Sequence, residues 1–547
     1  MNLPSQPPGT LGRSRQAVSL AFLLVLTLVG SQAVAQVKTP PGEEIPPARQ
    51  EAVADVTRDR TDPQATQPPA GMPVSPLTVM FPTALDRPMQ PDRPFIGLLR
   101  YDEDWSFLKD PANRTELWDP LKYIGLGKAD WYLSLGGETR QRFEIYNKFP
   151  FSALAPSDKD GYYMMRYMLH GDLHMGQHVR VFAQLKSALI YGKDFVTGAD
   201  KDELDVNQLF VDINSGLGET GDSFTLRVGR QELHYGMGRL LTIREGPNNR
   251  QGWDGARGIL QVRNWQIDAF YALGVEDRHG VFDDRPTDDH MIWGLYATTM
   301  VLPGAGIDVY YLGDAVKKAF FRREKFGYFQ DFLLGIGDEV RHSVGTRLFG
   351  GHGPWDWDIE AIFQAGEHRH RNIRAYDLSV GGGYTVPQLP ASPRFTLGLD
   401  FASGDRDAAD GDVQTFRPIV FRGNYSGEAA FLQLSNVIKV HPGVDLHLRK
   451  DMFLFLDFPL FWRMSREDGL YSPGGFVVAE PVVVGPTGPR AINDRYVGFQ
   501  PSFQYTWQIT QYLMFSTSYA HFVSGGFLKK AGRGDADFGA VWFTYRF

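Results

Sequence analysis

The sequence predicts an all-β protein, a single transmembrane antiparallel β-barrel of about 18 strands. Three observations predict it: an apolar segment near the start that resembles an export signal, long stretches in which apolar and polar side chains alternate, and a last strand, 541–547, that alternates in the same way and ends on Phe547. Side chains of a strand point to alternate faces, so one face of such strands can meet lipid and the other water. A terminal aromatic of this kind is typical of bacterial outer-membrane proteins. A soluble sandwich could end on a similar strand, so the other segments must decide between the two.

Composition narrows the functional classes. The 547 residues contain no cysteine, which excludes disulfide scaffolds and cysteine-based metal or redox chemistry. The mean hydropathy of −0.28 is too polar for a helical membrane protein but suits a barrel, in which only every second residue need be apolar. The formal net charge is −8, so any binding of an anionic ligand must come from the local placement of Arg and Lys.

Three regions follow one another along the chain. Residues 1–36 have the basic start, the apolar core and the Ala-Val-Ala cleavage site of a secretory signal peptide. Residues 37–94 are rich in proline and poor in apolar side chains, which predicts a disordered periplasmic extension. Residues 95–547 are predicted to form the barrel, and their first part, 95–130, carries enough aromatic residues to be an ordered lead-in at the barrel mouth.

From Trp131 onward the apolar residues recur with a period of two. Counting such segments gives about 18 strands, an even number of the size expected of a porin. The stretches 239–245 and 320–337 could be either strand or loop. Long polar connections alternate with short turns, as expected of a barrel with loops on one rim. The long connections are 277–289, 315–339, 404–427 and 467–494.

The alternation assigns polar side chains of the first strands to the lumen. Basic residues exceed acidic ones in this set, which we call the basic wall. In a confined channel such a wall would concentrate an anionic chain, and the planar fork of Arg suits carboxylates. The charges could equally hold one another and keep the lumen solvated. The basic wall comprises Glu138, Arg140, Arg142, Glu144, Arg166, Asp172, Arg180, Lys186, Asp212, Arg227, Gln231, Arg257, Arg263 and Asp268.

Arg230 does not fit the simple alternation. It has the parity of Phe224, Leu226 and Val228, which points it outward. A β-bulge at Gly229 would turn it toward the lumen, and a position beyond the lipid band is the other possibility.

Later strands direct mostly carboxylates inward, and we call this set the acidic wall. Only Arg449 and Arg463 oppose them in the sequence pattern. The sequence therefore predicts a lumen divided into a basic and an acidic side. The acidic wall comprises Asp308, Asp358, Glu360, Asp377, Asp400, Asp445 and Asp457.

One block of the sequence resembles the alginate export family of outer-membrane porins. The block runs over 226–236, with the sequence Leu-Arg-Val-Gly-Arg-Gln-Glu-Leu-His-Tyr-Gly, and continues over 238–241, 244–250 and 253–257. Shorter similarities to the family lie at 100–105, 135–140, 208–212 and 546–547. The resemblance covers roughly 95–547.

The resemblance implies an 18-stranded barrel in the outer membrane of a Gram-negative bacterium. Its narrow lumen, lined by Arg and Lys, would pass an anionic polysaccharide passively. Outer-membrane lipid and periplasmic polysaccharide-secretion proteins would be its partners, with no nucleic acid, no cofactor, no metal and no catalytic residues. A general or anion-selective diffusion porin is the alternative function, and a barrel enzyme acting on lipid or polysaccharide is a third.

Overall fold

The structure is a computed structural model, and it describes residues 97–128, 130–148, 151, 159–217, 221–319, 337–407, 410–485 and 488–547. The predicted signal peptide and proline-rich extension lie outside the described residues.

The described residues form a closed antiparallel barrel of 18 strands, which confirms the predicted fold class. Each strand pairs with the next, and β18 pairs with β1, so the sheet has no free edge. The strands are β1 Trp131–Asn147, β2 Lys159–Met175, β3 Val179–Tyr191, β4 Asp202–Gly216, β5 Ser223–Gln231, β6 Trp253–Val262, β7 Trp265–Glu276, β8 Arg285–Leu302, β9 Ala305–Ala319, β10 Gly337–His352, β11 Trp355–His368, β12 Arg371–Thr385, β13 Arg394–Ala402, β14 Val437–Arg449, β15 Met452–Asp457 with Leu460–Arg463, β16 Tyr496–Phe499 with Ser502–Gln508, β17 Leu513–Ser524 and β18 Ala536–Arg546.

The barrel is apolar outside and polar inside. In β5, Leu226 and Val228 are 37% and 50% exposed, whereas Arg227 between them is 4% exposed. In β1, Phe143 and Ile145 are likewise exposed on the outer face. A soluble sandwich would bury its apolar faces, whereas a transmembrane barrel turns them to lipid. The reversed polarity therefore confirms the membrane barrel over the sandwich.

The two rims of the barrel differ in the length of their connections. The rim that carries the start of β1 has short turns, such as 176–178 and 353–354, and we call it the short-turn rim. The opposite rim carries the longest connections, 232–252, 403–436 and 464–495. The sequence predicted this division.

Two predicted loop boundaries need correction. The predicted connection 277–289 is shorter in the structure, because β8 already begins at Arg285. In the predicted connection 315–339, β9 continues to Ala319 and β10 begins at Gly337. Residues 239–245 lie in a loop, and of the second ambiguous stretch only Gly337 is described.

The lead-in contacts the start of β1, at the short-turn rim. Tyr101 packs edge-on against Phe182 and Phe210 inside the barrel. The indole of Trp118 lies 4.5 Å from the ring of Phe547. The lead-in contains three 3-10 turns, Arg100–Asp102, Ser106–Lys109 and Pro111–Asn113, the helix α1 Asp119–Lys122, and the pair Ile124–Gly125, which joins β1.

Small elements also occur in the long connections. They are Asp412–Val413, which pairs in parallel with β12, the 3-10 turn Gly423–Ser426, the paired segments Leu470–Tyr471 and Val477–Ala479, the hairpin Val482–Gly485 with Gly488–Ala491, and the helix α2 Gly526–Lys530. No helix among the described residues has both the length and the apolarity needed to cross a membrane.

Prolines lie in or between the segments of three adjacent strands and divide two of them. The backbone N–H of Phe458 donates to the carbonyl of Pro442 in β14, and that of Gln500 donates to the carbonyl of Pro459. Proline has no N–H to offer the ladder, so β15 and β16 are each divided into two segments. This region borders the space that remains in the lumen.

Candidate functional site

The loop 232–252 folds into the barrel instead of leaving the rim. The amide of Asn248 donates to the carbonyls of Met165 in β2 and Leu189 in β3, at 3.1 and 3.0 Å. The carbonyl of Leu240 accepts from the backbone of a second inward loop, 403–436. The two loops together fill much of the lumen, a feature that strand alternation could not predict.

Glu245 of the first loop meets the basic wall. Its carboxylate accepts hydrogen bonds of 2.5 Å from Arg166 in β2 and from Arg250 in the loop. Burial would raise the pKa of Glu245, but Arg166, Arg250 and Arg140 bring it down to about 2. Glu245 is therefore ionised at neutral pH.

Glu138 is the second carboxylate in this cluster. It lies 2.7 Å from Arg166 and 2.7 Å from Arg546 of β18. The Glu138 side chain is buried, and it belongs to the wall itself, so it fixes the positions of the two guanidinium groups.

The other predicted cations of the basic wall, apart from Arg263, are also paired, and all of these except the half-buried Arg180 are buried. Each guanidinium or ammonium group contacts a carboxylate, so in this conformation the wall is a set of internal ion pairs. The pairs are Arg142 with Glu144 at 2.5 Å and with Glu428 of the loop 403–436 at 3.0 Å, Arg180 with Asp172 at 2.7 Å, Lys186 with Asp202 at 3.1 Å, Arg227 with Asp212 at 2.8 Å, and Arg257 with Asp268. Gln231 is buried as well.

Arg230 keeps its outward parity. β5 pairs with both neighbouring strands without a register shift at Gly229, so no bulge turns Arg230 inward. Its guanidinium instead binds Asp254 of β6 at 2.9 Å and the carbonyl of Val206 at 3.1 Å.

The expectation that Arg263 lines the lumen is corrected by the structure. Arg263 follows the last residue of β6 and lies in the tight turn to β7, where its φ is +54° and its side chain is exposed. Strand alternation does not apply to Arg263, because the strand ends at Val262.

Most carboxylates of the acidic wall are paired with cations in the structure, which corrects the predicted division of the lumen; Asp377 instead accepts a hydrogen bond from Ser379 at 2.9 Å. Arg239 of the loop 232–252 donates to Asp358 and Glu360, both at 2.7 Å. Residues of the strands supply three further cations. Arg347 lies 3.1 Å from Asp308, Lys439 lies 2.8 Å from Asp400, and Arg394 lies 2.6 Å from Asp445.

The sequence pattern did not predict that Arg239, Arg347, Arg394 and Lys439 would pair with the acidic wall. Arg347, Arg394 and Lys439 stand on the inward parity of their strands, so a complete application of the alternation would have found them. Arg239 could not be found in this way, because it lies on a loop whose path depends on tertiary contacts.

One group of carboxylates has the geometry of a cation site. Oxygens of Asp202, Asp205 and Asp284 converge within 4.8 Å of one another. The ammonium of Lys186 lies 3.1 Å from Asp202 and 3.0 Å from Asp284. The chain therefore supplies its own cation to this group.

A space within the described part of the lumen lies against β14–β17. An empty volume of about 890 Å³, part of it open to solvent, is found there. Its lining includes Glu428, Asp445, Phe453, Gln504 and Ser518. The inward-facing Asp445, Phe453 and Gln504 are half-buried, whereas the basic wall is buried beneath the loop 232–252.

Comparisons with known proteins bear on the whole barrel. A family model described as Alginate export matches residues 131–541. No curated protein matches the chain. The solved structure of OccAB1 from Acinetobacter baumannii has a TM-score of 0.50 at 9% identity, over 78% of this chain and 99% of that one. The outer membrane protein opdK from Pseudomonas aeruginosa has a TM-score of 0.49 at 9% identity, over 76% and 99%. At these identities the similarity concerns the fold alone.

Proposed function

Because the chain belongs to the alginate export family, we propose that it exports an anionic exopolysaccharide, alginate or a related uronate polymer, by passive passage through its lumen. The protein is a β-barrel channel of the outer membrane of a Gram-negative bacterium. The family and the fold are those of channels, which are typically not enzymes.

The observation that carries the proposal is the row of inward-facing guanidinium groups on the first strands of the barrel, each paired with a carboxylate. Arg227 holds both oxygens of Asp212, at 2.8 and 2.9 Å, which is the geometry in which Arg binds any carboxylate. A uronate polymer presents one carboxylate per sugar. Groups that hold internal carboxylates in this way can exchange them for those of a passing chain.

The proposed contact residues are the inward-facing members of the basic wall. Arg230 and Arg263 are left out, because neither lies on the lumen side. The proposed set is Arg140, Arg142, Arg166, Lys186, Arg227, Gln231 and Arg257, with Glu138 and Asp212 as their fixed partners.

A diffusion porin for small solutes is the second candidate. The inward loops 232–252 and 403–436 favour it, because they fold into the barrel, bind its wall and bind each other. Export of a polymer would have to compete with these contacts.

Planar-bilayer conductance of the purified barrel tests the proposal. We expect an anion-selective channel that short mannuronate oligomers block and neutral maltooligosaccharides of equal length do not. A channel indifferent to the uronates would support the diffusion porin. A folded barrel that conducts no ions would overturn the channel and favour an enzyme.

A bacterial strain from which the gene for this protein has been deleted provides the matching test in cells. Expression of the protein should restore secretion of the polymer. During export the polymer would have to enter the barrel at the short-turn rim. We propose that periplasmic polysaccharide-secretion proteins act there.

A further inference from the structure

The carboxylate of Glu245 lies among four guanidinium groups. The nearest two, Arg166 and Arg250, lie at 2.5 Å. Arg140 and Arg546 lie farther away, at 3.7 and 3.8 Å. Arg140, Arg166 and Arg546 belong to the strands β1, β2 and β18, so most of this site is fixed in the barrel wall, whereas Glu245 sits on a loop.

The pairing of β1 with β2 places two positively charged side chains next to each other, although like charges repel. Arg140 and Arg166 are direct partners in the register of β1 and β2. Like charges opposite each other destabilise a sheet unless anions lie between them. Glu138 supplies one such anion from the wall, and the loop supplies the other through Glu245. The Glu138 side chain is 3% exposed, but that of Glu245 is 21% exposed, so Glu245 is the one that the lumen can reach.

The loop accepts hydrogen bonds from only some of the N–H groups of Arg140. Its Nη atoms donate to the carbonyls of Glu245 and Pro247, at 3.0 and 2.9 Å. Its Nε is buried and has no hydrogen-bond partner among the described residues. A buried donor without a partner is costly, so this arginine retains the capacity to bind a further anion.

We propose that Arg140, Arg166, Arg250 and Arg546 form a binding site for one carboxylate of the transported polymer, and that Glu245 occupies this site while the lumen is empty. The inference rests on the proposed function. A uronate carboxylate has the charge and shape of the Glu245 carboxylate and competes with it directly. Its arrival displaces the Glu245 side chain from the strand arginines Arg140, Arg166 and Arg546, while Arg239 keeps the loop 232–252 attached to the other side of the lumen.

The variant Glu245→Gln tests this competition. Glutamine keeps the size of the side chain and removes its charge. Since an internal competitor lowers the apparent affinity in proportion to the time it fills the site, we expect mannuronate oligomers to bind at least about tenfold more tightly. Binding is measured by calorimetry on the detergent-solubilised barrel and by the block of conductance.

Two further variants complete the design. Glu276→Gln, at an exposed rim carboxylate that binds Arg278 and Arg285, should leave uronate binding unchanged. Arg140→Gln added to Glu245→Gln should cancel the gain. Equal uronate affinity in wild type and Glu245→Gln would overturn the inference and leave the proposed function standing, whereas no uronate binding by either would overturn both.

Hydrogen exchange on the wild-type chain gives a result that does not depend on how the variants fold. Mannuronate oligomers should raise the exchange of amides in 240–247, and maltooligosaccharides should not. Unchanged exchange at saturating uronate would contradict the displacement of Glu245.

Discussion

The guanidinium of Arg239 lies 2.7 Å from the carboxylate of Asp358. Arg239 belongs to the loop between β5 and β6, and Asp358 stands on β11, roughly halfway around the barrel from β1 and β2. The same loop binds β2 through Glu245. The loop 232–252 therefore spans the lumen, with a cation at one end and an anion at the other.

Arg239→Gln should shift the channel toward cations and raise its conductance. Asp358 and Glu360 lose the cation that they share, which makes the potential on their side of the lumen more negative. The reversal potential in a salt gradient measures the shift. Arg278→Gln, at an exposed rim ion pair, is the matched control. Identical reversal potentials in wild type and Arg239→Gln would show that the loop does not control this wall.

Arg140→Glu combined with Arg227→Glu should lower anion selectivity. Both residues face the lumen and are buried, and Arg140 donates its hydrogen bonds to the carbonyls of Glu245 and Pro247 while the Glu245 carboxylate lies farther away, at 3.7 Å. The measurement is the ratio of anion to cation permeability. Arg263→Glu should leave that ratio unchanged, because Arg263 is exposed in a turn outside the wall. A double variant with wild-type selectivity would remove the assignment of these residues to the ion path.

The attachment of the loop 403–436 should weaken as the pH rises. Burial and the neighbouring carboxylate of Asp468 raise the pKa of Asp405 to about 6. An unfolded aspartate titrates near 3.9, so the docked state binds more protons between these values, and its stability falls as the pH rises through that window.

Between pH 5 and pH 7.5 the population of the open loop should rise about tenfold. Hydrogen exchange in 405–416, corrected for its intrinsic pH dependence, measures this. Asp405→Asn should abolish most of the change. A larger open population at pH 5 than at pH 7.5 would reverse the assigned sign.

Arg100→Ala should destabilise the barrel. Arg100 is buried, and it donates to the carbonyls of Phe547 and Gly137 at 2.7 and 3.0 Å while pairing with Glu103. Removing one partner of a buried ion pair costs about 3–5 kcal/mol. The temperature at which the barrel loses its compact migration in SDS gels should fall. Arg114→Ala, at an exposed residue of the same segment, should have little effect.

The strands were predictable because their signal is local. The order Leu226, Arg227, Val228 shows which face meets lipid without knowledge of any other strand. The contents of the lumen were not predictable, because the path of the loop 232–252 is set by contacts with distant strands. Asn248 and Glu245 illustrate this, since nothing near them in the sequence indicates that they bind β2.

The contact of Arg100 with Phe547 also constrains the order of assembly. The two residues are 447 positions apart, and the carbonyl that Arg100 binds is brought into place by the pairing of β18 with β1. The lead-in can therefore complete its contact with Phe547 only after the cylinder has closed. Burial of Trp118 against Phe547 and Tyr545 would then be a late event in biogenesis, and its protection from modification would report on the completed barrel.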